Sequence, residues 1–107
     1  MHRTIKESDW KYLRKRQDDM LNTLCLIINQ KAKAIVESTG KSEHKKYLWL
    51  YNHIRKSDKI IADCFNDWSR SDMLLRIPLL RYHGLITDED LNNMSQDITD
   101  VIELFNK

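Results

Sequence analysis

Nothing between Asp9 and Glu37 breaks a helix: the stretch has no glycine and no proline. Trp10, Leu13, Gln17, Met20, Leu24, Ile27 or Ile28, Lys31 and Ile35 recur at steps of three and four, and Leu21, Ala32 and Val36 widen that stripe. The spacing predicts a first helix from near Ser8 to about Ser38, although Thr4 and Glu7 also fit a capping box one turn earlier. At about 1.5 Å per residue, thirty residues span roughly 45 Å. A compact domain of about 100 residues has a radius of gyration near 13 Å. The helix is therefore too long for its own short chain to cover end to end, and self-association is the natural remedy.

The rest of the chain follows the same grammar. Its 107 residues include two glycines and one proline, which favours long helices joined by few turns. Ser38-Thr39-Gly40-Lys41-Ser42 is the clearest turn, with Gly40 suited to end one helix and Ser42 to cap the next. The second helix is expected from Glu43 to around Asp67–Ser69, antiparallel to the first. It carries two stripes. Tyr47, Leu50, Tyr51, Ile54, Ile61, Cys64, Phe65 and Trp68 share one face, and Trp49, His53, Lys56 and Ile60 share another. Two stripes predict burial on two sides, one against the chain's own helices and one against another molecule. Ser71 then caps a third helix to about His83, with a kink or break expected at Pro78 and a stop at Gly84. Thr87-Asp88-Glu89-Asp90 starts a short fourth helix and Ser95 a fifth, and no segment alternates as a strand. The expected fold is a single all-α domain over 1–107. A long antiparallel helical hairpin forms a stem, about 8–68, and a small helical head follows, about 70–107, the whole being dimeric.

Charge and chemistry narrow the function classes. Lys and Arg exceed acids by seven over residues 1–84, whereas residues 85–107 hold six acids and one lysine. Such a split can orient a partner or pair two subunits. The basic run Lys11, Arg14, Lys15, Arg16 and the later Lys41, Lys45, Lys46, Arg55, Lys56 offer a surface for phosphate, and Leu74–His83 with Asp88–Asn93 imitates a helix-turn-helix. The would-be recognition helix is acidic, so nucleic acid is not the expected partner. His2, His44, His53 and His83 lack metal-ligand spacing, and no glycine-rich loop or nucleophile motif occurs. Neither an enzyme nor a cofactor is expected. There is no run of 18 apolar residues, and Met1–Glu7 lacks the apolar core of a signal peptide, so the expected setting is the cytoplasm, without a membrane. Cys25 and Cys64 then read as reduced, buried apolar residues, a single disulfide between them being the alternative.

Leu48-Trp49, Ser71, Leu74, Leu79-Leu80, Gly84, Asp90-Leu91, Ser95 and Ile102 form a frame over about half of the chain that needs no gap. In this frame the chain resembles the fluorescence recovery protein family, the small regulators of the cyanobacterial orange carotenoid protein. The resemblance implies an all-helical homodimer without enzymatic activity. Such a dimer binds the photoactivated carotenoid protein and speeds its return to the resting form. It matches the family's central tryptophan to Trp49. It sets Asn52-His53 where the family has a His-Asp pair, Lys59 in place of an arginine, Leu75 in place of an aromatic contact residue and Val101 in place of a lysine. The expected dimer surface is Trp49, Asn52, His53, Lys56, Lys59 and Ile60. The expected partner surface on the head is Leu75, Arg76, Leu79 and Val101. With several contact positions altered, a protein other than the orange carotenoid protein is the alternative partner.

Overall fold

The computed structural model describes residues 4–105. His2 and the last two residues of the expected head lie outside that range. Five helices and no strand occur among the described residues: α1 (Glu7–Glu37), α2 (Glu43–Phe65), α3 (Met73–Tyr82), α4 (Asp88–Asn92) and α5 (Gln96–Phe105). α1 and α2 form an antiparallel stem, and α3–α5 form a head at the end away from the turn. The molecule measures 54 × 28 × 27 Å with a radius of gyration of 16.7 Å, well above that of a compact domain of its length.

The hairpin closes as its turn residues dictate. Gly40 takes φ +80°, and the Ser42 hydroxyl accepts the Lys45 amide. The far end of α2 differs from expectation. The helix stops at Phe65, because Asp67 adopts a left-handed φ of 53° and Trp68 folds back. The Trp68 indole donates to the Cys64 carbonyl at 2.6 Å and stacks on Phe65 with ring centroids 5.7 Å apart. Arg76, reaching over from α3, donates to the carbonyls of Asp63 and Asn66. The last carbonyls of α2 are thus satisfied by an indole and a guanidinium rather than by another helical turn.

The head begins without the expected Ser71 cap. Asp72 stands at the helix start in the αR conformation, and its amide is held by the Ser69 carbonyl and hydroxyl. α3 runs unbroken through Pro78, with Ile77 and Leu80 fully buried on either side. Burial of those residues outweighs the donor that proline removes. The helix ends in a Schellman turn. Gly84, at φ +75°, donates to the Arg81 carbonyl, and the buried Leu85 donates to that of Leu80. Thr87 and Asp90 form the capping box of α4.

The core sits where the head meets the base of the stem. Leu13, Met20, Leu24 and Ile28 of α1 pack with Cys64 and Phe65, with Met73, Ile77 and Leu80 of α3, and with Ile98 and Ile102 of α5. Toward the turn the core thins. Ile35 is the one buried α1 residue beyond Ile28, and α2 buries only Ser57, Cys64 and Phe65, so nothing from Glu43 to Lys56 is fully buried. Cys64 is buried as expected, but Cys25 is only half-buried, and both thiols are free.

Candidate interaction surfaces

The side of α2 that faces α1 takes residues from both expected stripes. Its inward line is Lys46, Leu50, His53, Ser57, Ile60 with Ile61, and Cys64, all buried or half-buried. Tyr47, Tyr51 and Ile54 face solvent, with Tyr47 64% and Tyr51 57% exposed. Periodicity alone put these three on the same face as Cys64. A line of fixed slope drifts around a helix of 3.6 residues per turn, and over five turns that drift separates them.

The six expected dimer residues accordingly divide. Trp49 is 37% exposed and lies between two cations: Lys31 Nζ is 5.4 Å and Lys41 Nζ 5.3 Å from its ring centre. Asn52, Lys56 and Lys59 are exposed, and Lys59 pairs along the helix with Asp63 at 3.3 Å. His53 and Ile60 turn inward. His53 Nε2 lies 2.9 Å from the Ile28 carbonyl, which can only accept, so that nitrogen carries the hydrogen. Ile60 packs on the core cluster.

The head residues divide in the same way. Leu75 is 74% exposed and, with Pro78, Leu79, Tyr82 and Phe105, lines an open groove of about 300 Å³. Arg76 is committed to the C-terminus of α2, and Val101, 7% exposed, lies in the interior of the head rather than on its surface. A second, smaller groove of about 170 Å³ opens near the turn between Val36, Glu43, Lys46, Tyr47 and Leu50.

Two buried carboxylates that sequence reasoning missed lock the head to the stem. Asp9 of α1 accepts the Ser95 amide at 2.9 Å and the Ser95 hydroxyl at 2.5 Å. Asp90 of α4 accepts Tyr12 Oη at 2.6 Å, Arg16 Nε at 3.0 Å and the Thr87 amide at 2.8 Å. Burial pushes the Asp90 pKa up, but the bonds from Thr87, Tyr12 and Arg16 outweigh it and hold the carboxyl below its ordinary value. The same burial, with the Asp90 contact, raises the Tyr12 pKa. No sequence signal pairs residues some eighty positions apart; only the polar residues on otherwise apolar faces hint at it.

Among the described residues no group of three or more His, Cys, Asp and Glu side chains comes together to hold a metal. The Cys64 thiol is pushed up to about 11, first by burial and then by Asp63, which keeps it protonated at neutral pH. No helix among the described residues is long and apolar enough to cross a membrane. These features define a small all-helical protein of stem and head with apolar surface left open on both parts. No family model, no curated protein and no solved structure matches the chain.

Proposed function

We propose that this chain is a non-enzymatic, homodimeric binding regulator of the fluorescence recovery protein type. Its partner is the photoactivated orange carotenoid protein, whose return to the resting form it speeds. The observation that carries a binding role is the bare outer stem. Eight of the twelve exposed large hydrophobics among the described residues, from Leu26 to Ile54, lie on the stem, on sides that the core does not cover. Apolar surface on that scale marks a contact with another molecule. The head groove at Leu75 and Leu79 supports a second contact, on the partner.

A regulator that only prefers one partner form shifts the population by no more than its affinity difference. To speed recovery it must bind the passage between forms more tightly than either end state. A dimer offers two heads, and gripping two parts of one partner raises their effective concentration. The test is dark recovery of photoactivated orange carotenoid protein, followed by absorbance with and without the chain. Acceleration at substoichiometric dimer is the expected result. Unchanged recovery with the chain folded assigns the surfaces to a different protein. The altered positions favour that second reading: Asn52 and Lys59 stand where the family has histidine and arginine, and His53 is engaged with Ile28.

A further inference from the structure

We propose that the flank of α2 centred on Trp49 is a binding strip for single-stranded nucleic acid, its lysines taking phosphates and its indole a base. Residues 29–56 hold six lysines and one arginine against two glutamates, +5 in a chain whose total is +2, so the turn end of the stem is the cationic pole of the molecule. Both glutamates are already engaged, Glu37 by Lys33 at 4.0 Å and Glu43 by Lys46 at 3.4 Å. Lys31, Lys41, Lys45 and Lys56 are exposed and pair with no acid among the described residues. Lys45, Trp49, Asn52 and Lys56 follow one another at steps of four, three and four, so they share one side of α2 over about 16 Å. The hairpin brings the other two lysines to the same place: Lys31 Nζ of α1 and Lys41 Nζ of the turn stand 5.4 and 5.3 Å from the Trp49 ring centre. Two ammonium groups held on one ring repel each other, and an anion seated between them relieves that repulsion.

The chemistry of the strip selects the anion. Its cations are all lysines, point charges that suit phosphate, whereas planar carboxylates are best gripped by the arginine fork, which this flank lacks. Trp49 is exposed among those lysines, and an aromatic ring beside a cationic track is how single strands are held: the backbone follows the charge and a base stacks on the ring. Asn52, one turn on, offers an amide donor and acceptor to a base edge. A duplex keeps its bases stacked inside and gives the indole nothing to lie against. The acidic α4, which argues against the head as a reader of DNA, lies at the other end of the molecule. A second copy of the chain does not fit this flank, because a two-fold image would set lysines against lysines. Neither a dimer nor a carotenoid protein is needed for the strip to work, so it and the regulator reading stand or fall separately.

The experiment is fluorescence anisotropy of a labelled oligothymidylate of about 15 nucleotides, titrated with the whole chain at about 50 mM salt, with helicity of every variant checked by circular dichroism. Saturable binding is expected, with log affinity falling against log salt at a slope of about −2 to −3, the value for three or four neutralised phosphates on a single strand. The double variant Lys31→Glu with Lys41→Glu should bind at least about tenfold more weakly, and Trp49→Ala about tenfold more weakly, while Trp49→Phe, which keeps a stacking ring, stays within about threefold of the parent. All three positions are exposed, so these variants keep the fold. Lys11→Glu with Lys15→Glu makes the same charge change at the base of the stem and should leave affinity within about twofold, because that end lies beyond a Debye length from Trp49. Absence of binding at about 100 μM protein overturns the proposal. So does a Trp49→Ala variant that binds like the parent, or an equal loss from the Lys11 and Lys15 pair, either of which would mean attraction by net charge alone. A duplex of the same length that binds as tightly as the strand removes the stacking role and overturns it too. Polyglutamate that competes as well as the strand overturns it in favour of an acidic protein segment.

Discussion

Asp90 is the residue on which most local structure converges. One of its oxygens completes the capping box of α4, and the other takes Tyr12 and Arg16 of the stem. Removing its charge leaves those half-buried donors poorly matched, so Asp90→Asn is expected to lower stability by about 2 kcal/mol in urea unfolding at pH 7. Its depressed folded pKa also fixes the sign of the acid dependence. The stabilisation is whole above the unfolded carboxylate value of about 3.9. It is lost as pH falls through the lower folded value. Unfolding midpoints between pH 7 and pH 2 should therefore fall less steeply for Asp90→Asn than for the parent. The two thiols differ as sharply. Cys25 is half-buried, whereas Cys64 is fully buried with its pKa near 11. A thiol reagent should titrate one group, Cys25, in the native protein and two after denaturation.

At the scale of elements, the turns obeyed local rules and the helix ends obeyed tertiary ones. Gly40 and Gly84 both sit at positive φ with open space where a Cβ would be. Replacing either by alanine therefore meets only the conformational penalty, about 1 kcal/mol each, readable as additive shifts in the unfolding midpoint. Both glycines, Ser42 and the Thr87 cap are legible because the residues that make those turns are adjacent in the chain. The C-terminus of α2 is not, because Trp68 and Arg76 close it from outside the helix. Trp68→Phe keeps the stacking on Phe65 but loses the indole donor. It should fray the last turn of α2, seen as faster amide exchange at Asp63–Asn66 with the stem otherwise unchanged.

At the scale of the whole molecule, stability is uneven along the stem. The base carries the core and both carboxylate locks, while α2 from Glu43 to Lys56 has no fully buried residue. Hydrogen exchange at low concentration should be fast across that outer half and slow across Ser57–Phe65. If a second copy covers the outer stem, protection there rises with protein concentration while the base stays constant. A concentration-independent profile would place the exposed apolar face against a different partner.

What the sequence determined by itself was the number, order and approximate span of the helices, the hairpin turn, the capped start of α4 and the excess length of the stem. Each follows from residues within a few positions of one another, whose backbone preferences and periodicity act locally. The tertiary structure decided which flank of α2 faces α1, and so which apolar residues stay exposed. It also placed Val101 in the interior, engaged Arg76 at a helix end and joined Asp9 to Ser95 and Asp90 to Tyr12 and Arg16. Those outcomes depend on the rotation of one helix against another. Such a rotation minimises exposed apolar area over the whole chain, and a stripe spread over more than half a helix's circumference leaves several rotations nearly equivalent until the head is packed in place.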